Sequence, residues 1–317
     1  MFSFEVTIIG CSSATPTSTR HPSAQVLNVH ENFFLLDCGE ATQIQLRKFH
    51  FKIQRIKNIF ISHLHGDHYL GLPGLLSTMH LLGRKEEVHI YSPPGLEEII
   101  SITHYHSKTT LNFDLKFHLI EENSSGRIFE DDKISIETIP MSHRIPCYGF
   151  LFREKIKFRN IIKEKIDEYK IPVQKIHNIK SGKDFITTDG KIISNNELTI
   201  EPPSLRSYAY CSDTIYNNSY IEQIKNVDLL YHEATFASDM ADKALNTFHC
   251  TAKEAATIAK KANAKKLIIG HYSARYKDLS PLLIEANKVF PNTVLAVEGE
   301  KYLVTSSYQT QPLKVKS

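Results

Sequence analysis

Ser62-His63-Leu64-His65-Gly66-Asp67-His68 follows directly on the apolar run Ile59-Phe60-Ile61 and reads His-x-His-x-Asp-His. Three imidazoles and a carboxylate within six residues, where a strand gives way to a helix, have a metal-ligand spacing, because neutral imidazole and carboxylate suit zinc and similar ions. With 16 histidines in 317 residues some clustering is expected by chance. This pattern, however, should arise at random only about once per thousand such sequences. His104 and His106 also form His-x-His, but no carboxylate or third imidazole follows them. An exposed helix end or loop accounts for that pair.

If residues 58–62 end a buried strand, His63 and His65 can turn toward one ion from the next turn, where Gly66 permits a tight backbone. Asp67 and His68 then open a helix facing a second position. A single tetrahedral ion cannot take all four side chains and keep an open site for water. Two ions about 3.5 to 4 Å apart can share them and hold a hydroxide as nucleophile. Further ligands must come from distant segments. Three candidates stand where a strand-like run passes into a loop: His143 beyond the alternating residues 133–138, Asp213 beyond Tyr208-Ala209-Tyr210-Cys211, and His271 after Leu267-Ile268-Ile269-Gly270. Strand ends in layered α/β folds are where ligand-binding groups gather. His143, Asp213 and His271 therefore complete the expected set of His63, His65, Asp67 and His68.

With these residues in place, the sequence resembles the metallo-β-lactamase superfamily and, within it, the ribonuclease Z family, endonucleases that remove the 3′ trailer from precursor tRNA. Leu35-Leu36-Asp37-Cys38-Gly39-Glu40, His232-Glu233-Ala234-Thr235, His249-Cys250-Thr251 and His271-Tyr272-Ser273-Ala274-Arg275-Tyr276 are similar to that family's blocks, in its order. Cys250 departs from the pattern, which usually has Ser there. The resemblance covers most of residues 4–305. It implies an α/β fold, the four-layer αβ/βα sandwich with an inserted flexible arm, and two Zn(2+) per chain. It also implies precursor tRNA as substrate and a homodimer whose arm serves the partner's active site. Asp37 is implied to orient a ligand histidine, His249 to help protonate the leaving group, and Glu233 to orient His249. No definite role is assigned to His232, a structural one being among the options. The loop 10–16 with Arg20 is either a plain connection or, by the resemblance, a substrate contact.

Composition is ordinary for a soluble protein, with 23% charged and 41% hydrophobic residues. A net charge of +3 is too small to name a partner by itself. Five scattered cysteines without a Cys-x-x-Cys indicate neither a disulfide framework nor a thiolate zinc site, and fit a reducing compartment. No apolar run approaches the roughly 20 residues of a membrane span. Glu5 stands where a signal peptide would carry a basic residue. A cytoplasmic protein with no membrane or DNA partner is the expectation.

Strand-like and helix-like runs alternate along most of the chain: paired strands over 24–29 and 32–37, a helix over 69–82 with Pro73 near its start, a strand at 88–91 and a helix over 96–102. Thr251-Ala252-Lys253-Glu254 is a capping box opening a helix to Ala262. Residues 1–152 and 207–317 form the expected catalytic domain. Residues 153–206 are the expected inserted basic arm for tRNA binding. Within it, residues 153–183 carry ten Lys/Arg against four Asp/Glu, interleaved with Ile156, Phe158, Ile161, Ile162, Ile166 and Tyr169. A helix at 159–169 would have an apolar stripe and a basic face. Such a run can equally be a solvated face. In the position of the family's arm it would gain affinity for RNA backbone through counterion release.

The expected division places His63, His65, His143 and Asp213 around one ion and Asp67, His68, Asp213 and His271 around the other. Asp67 is the expected general base, His249 the acid for the departing 3′ oxygen, and the products are a tRNA 3′-hydroxyl and a trailer 5′-phosphate. Two alternatives remain: a hydrolase of small phosphodiesters or esters, which has no use for the basic insertion, and an RNA-binding protein with a structural metal, which would be richer in Cys.

Overall fold

Along the first strands, alternate side chains enter different cores, and this sets the layering. Phe34 and Leu36 of the strand Asn32–Leu36 join one buried cluster while Leu35 between them joins a second; Phe60 is likewise divided from Ile59 and Ile61. The computed structural model describes residues 3–121, 125–155, 158–201 and 204–306. It divides into two compact units, residues 1–153 with 206–305, and residues 154–205 with 306–317.

In the first unit, one seven-stranded sheet runs in the order Lys301–Leu303, Phe4–Gly10, Ala24–Val29, Asn32–Leu36, Ile56–Phe60, Val88–Ser92, Leu115–Leu119. It is parallel from Asn32–Leu36 onward. The other sheet runs Thr293–Leu295, Leu267–Gly270, Leu229–Glu233, Ser207–Cys211, Cys147–Glu154, Ile134–Met141, Arg127–Glu130. Its first four strands are parallel. The sheets meet through aromatic side chains, with Phe60 5.3 Å from Phe150 and Phe34 5.8 Å from Phe152 between ring centroids, both edge-on. Rings of this size dominate core energetics through buried area. Helices Thr42–Lys48, Leu72–Leu81 and Leu96–Ser107 cover the outside of the first sheet with Leu46, Leu72, Leu75, Leu76, Met79, Leu96 and Ile100. Ala252–Lys261 and Ser280–Val289 cover the second, largely through alanines that permit close approach. The order is helix, sheet, sheet, helix, the four-layer αβ/βα sandwich.

The capping box at Thr251 is complete: its hydroxyl accepts from Glu254 N–H while the Glu254 carboxylate accepts from Thr251 N–H. The helix expected to end at residue 102 continues to Ser107 and carries His104 and His106 on its last turn.

The second unit has its own small core of Ile171, Ile179, Phe185, Ile193 and Leu198. It holds two short strand pairs and the helices Lys163–Glu168, Val173–Lys180 and Asn195–Leu198. The helix expected at 159–169 forms only in part, over Lys163–Glu168. Asn160–Ile161 pairs as a strand with Thr199–Ile200, and Arg159 donates from Nε to Thr199 Oγ1 at 2.6 Å. The β-branched pair Ile161-Ile162 favours that extended backbone, so the helix starts only at Lys163. Ile156 lies outside the described residues, as do residues 307–317 of the expected catalytic domain.

Candidate metal centre

The seven expected ligands all belong to the first unit and follow the ends of its strands. His63, His65, Asp67 and His68 come from the turn and short helix Gly66–Tyr69 after Ile56–Phe60. His143, Asp213 and His271 follow Ile134–Met141, Ser207–Cys211 and Leu267–Gly270. His271 has φ +58°, a left-handed turn that swings its ring off the sheet.

His65 Nδ1 lies 3.1 Å from both His63 Nε2 and His143 Nε2. Asp213 Oδ2 is 3.5 Å from His63 Nε2 and 3.9 Å from His143 Nε2. On the other side, His68 Nε2 is 3.3 Å from His271 Nε2, 3.4 Å from Asp67 Oδ2 and 3.6 Å from Asp213 Oδ2. His271 Nε2 is 3.3 Å from Asp67 Oδ2 and from Asp213 Oδ1. Tetrahedral zinc with bonds near ~2.05 Å sets its ligand atoms about 3.3 Å apart, the spacing seen in both groups. Asp213 stands between them, Oδ1 beside His271 and Oδ2 within reach of His63, His143 and His68.

The imidazole protons decide whether these atoms can act as ligands. Ser62 Oγ donates its one proton to Asp37 Oδ2 at 2.9 Å, so at 3.0 Å it accepts from His63 Nδ1–H. Thr235 Oγ1 donates to Glu233 Oε2 at 2.8 Å and therefore accepts from His271 Nδ1–H at 3.0 Å. His68 Nδ1 donates to Asp37 Oδ2 at 2.7 Å, and His143 Nδ1 to the Phe248 carbonyl at 2.9 Å. Each of the four rings thus turns an Nε2 lone pair inward, as metal-binding histidines do when their other nitrogen is held. Asp213 Oδ1 is buried with no hydrogen-bond donor. Lone pairs and carboxylates converging in this way repel one another until a cation stands among them. The donor set therefore fits two metal ions.

Electrostatics agree. Burial, then the neighbouring His68, depresses the pKa of His63 well below the imidazole range. Burial likewise lowers His65 and His143, keeping them neutral. Although burial opposes charge on His68, the carboxylates of Asp67, Asp213 and Asp37 outweigh it and raise its pKa. The field that favours a proton at Nε2 favours a metal cation there equally. Burial also opposes ionisation of Asp67 and Asp213, yet the imidazoles of His68 and His271 hold both well below the carboxylate range.

Beside the ligands, His249 Nδ1 is 3.1 Å from Glu233 Oε1. Asp213, His249 and His271 also lie close enough to hold an ion, but His249 Nδ1 carries the proton it gives to Glu233. Glu233 is fully buried and also accepts from the backbone N–H of Thr214, Thr235 and Cys250. Asp37, at φ +54°, accepts from Ser62 N–H, Ser62 Oγ, Tyr210 OH and His68. His232 bonds Tyr220 OH at 2.8 Å and its ring lies away from the ligands, in the core. Arg20 is tied to the carbonyls of Tyr276 and Ser273, so it braces the loop after His271. The loop 10–16 meets the site through Ala14, whose N–H donates to Asp67 Oδ2 at 2.7 Å. Sequence alone assigns no role to Ser62, Thr235 or Tyr210, although Ser62 and Thr235 lie inside motif blocks. An open cleft of about 410 Å³ leads to the ligands, with Glu40, Leu70, Arg144, Thr247 and His249 on its walls.

Fold and centre together define a metal-dependent hydrolase of the metallo-β-lactamase fold. A ribonuclease Z of Bacteroides fragilis is 48% identical over 299 residues, covering 94% of this chain and 98% of that one. The crystal structure of human tRNase Z, short form, superposes with a TM-score of 0.69 at 28% identity, covering 95% of this chain and 100% of the other. The metallo-β-lactamase fold protein YhfI from Bacillus subtilis, at 19% identity and a TM-score of 0.67, covers 95% of this chain and 99% of its own and shares the fold. The family model described as Anti-Pycsar protein Apyc1 matches residues 4–175. That match includes the His63 to His68 block and His143 but stops short of Asp213, Glu233, His249 and His271. This chain belongs to the ribonuclease Z family of hydrolytic endoribonucleases, and its residues 4–175 also fall within the Apyc1 family.

Proposed function

We propose that this enzyme cuts the 3′ trailer from precursor tRNA after the discriminator nucleotide, leaving a tRNA 3′-hydroxyl and a trailer 5′-phosphate. The observation that carries the reading is the His249–Glu233 pair at 3.1 Å, set beside the ligand cluster and open to the cleft. His63, His65, His143 and Asp213 would hold one zinc ion, and Asp67, His68, His271 and Asp213 the other. Bound there, the ions supply Lewis acidity and an acidified water. Asp67, held ionised and fixed by the Ala14 N–H, takes a proton from the attacking water. As the bond from phosphorus to the 3′ oxygen breaks, the His249 imidazolium delivers its Nε2 proton to that oxygen, and Glu233, accepting from Nδ1–H, holds the ring in place. The protein would act as a homodimer in the cytoplasm; among the described residues no helix is long and apolar enough to cross a membrane. Residues 154–205 are the candidate tRNA-gripping arm.

The test is incubation of the purified protein with an unprocessed tRNA, with and without chelator. Cleavage after the discriminator nucleotide that chelator abolishes and zinc restores supports the reading. Absence of metal-dependent cleavage contradicts it.

A further inference from the structure

Arg144 is the one lysine or arginine among the described residues lining the cleft, and it also lines an adjoining groove of about 370 Å³ beside Pro146, Tyr148 and Phe248. Its position is held from two directions. Nη2 donates to the Asn246 carbonyl at 2.9 Å, and the guanidinium carbon stands 5.7 Å from the centre of the Phe248 ring. The Phe248 carbonyl in turn accepts from His143 Nδ1. Arg144 is therefore registered against a metal-site residue and against the segment that leads into His249. The bond to Asn246 uses one of five guanidinium N–H groups, and a guanidinium fork matches two oxygens of a phosphodiester. Glu40, Asp67 and Asp213 in the same cleft repel a polyanion, so a strand of RNA needs a fixed cation on its path.

Building on the endoribonuclease reading, we propose that Arg144 binds the RNA backbone phosphate adjacent to the scissile linkage and directs the strand from the cleft into the adjoining groove. It is a specificity residue for polynucleotide, distinct from the proton-transfer groups. The alternative is a clasp that only positions residues 246–249.

The experiment compares the full-length, metal-loaded protein with Arg144→Ala and Arg144→Lys. For Arg144→Ala, KM for precursor tRNA is expected to rise about tenfold or more, the size of one missing charge-assisted hydrogen bond, with kcat within about twofold of wild type. In a His249→Ala background that slows turnover, the slope of log Kd against log salt should shrink by about 0.7 to 0.9 for Arg144→Ala, because one phosphate fewer is neutralised. Arg144→Lys should keep the slope and lose part of the affinity. A fall in kcat with KM and salt slope unchanged would overturn the proposal in favour of the clasp. Failure of the wild-type protein to bind or cleave the precursor would overturn the endoribonuclease reading as well, whereas wild-type cleavage with an unaltered slope in Arg144→Ala would overturn this role alone.

Discussion

His249 depends on Glu233 for its charge. Burial opposes a protonated ring, but the Glu233 carboxylate, by Coulomb attraction and a hydrogen bond, with Asp213 and Asp67 behind it, raises its pKa to about 9. The folded value lies above the unfolded one, so the pair's contribution to stability is fully present below the ordinary imidazole value of about 6.5 and is lost as pH rises through about 9. The same sign governs catalysis. An acid of this kind stays protonated at neutral pH, and kcat is expected to fall only on the alkaline side. Glu233→Gln should bring the alkaline limb of the pH–rate profile down toward neutrality, and an unmoved limb would separate His249 from the proton step. His249→Ala should lower kcat by ~10² to 10⁴ while leaving metal content intact. Asp37→Asn tests the support of His68. Asn tolerates the left-handed backbone at this position, so the change removes charge with little strain. Metal affinity measured by chelator competition should drop ~10- to 100-fold; unchanged affinity would mean that the bond to His68 is dispensable.

At the scale of elements, the strand and helix alternation was legible because its apolar periods, 2 and 3.6, are written locally. Thr251 and Glu254 likewise declared a helix start that the structure bears out residue for residue. The helix expected at 159–169 starts four residues late, at Lys163, because a stripe of Ile residues does not reveal that Thr199 and Ile200, some forty positions later, pair with Asn160 and Ile161. The ligand residues stood out because four of them lie within six positions. The hydroxyls of Ser62 and Thr235, which set the ring tautomers, are common residues whose partners become visible only when the loops meet. Close packing behind the site gives a further test. Gly71 N–H donates to the Cys38 carbonyl, and a Cβ at Gly71 would fall 1.9 Å from the Gly39 carbonyl oxygen. Gly71→Ala should push the helix Leu72–Leu81 away from the strand end that carries Asp37. The expected cost is about 1 to 3 kcal/mol in chemical denaturation, and a neutral effect would show that the backbone there yields freely.

At the scale of the whole molecule, the chain is divided between a sandwich that gathers the candidate ligands at its strand ends and a smaller unit with a core of its own, the proposed tRNA-gripping arm. Replacing residues 154–205 by a short linker should leave metal content and folding of the sandwich intact and abolish cleavage of precursor tRNA. Full retention of that cleavage would show that this unit is not needed to grip the tRNA. In the proposed mechanism catalysis depends above all on two cations sharing Asp213, and metal analysis of an active preparation by mass spectrometry addresses that directly. The expected result is two ions per chain, both lost in Asp213→Ala. An active enzyme holding one ion per chain, or one whose ions survive that substitution, would contradict it.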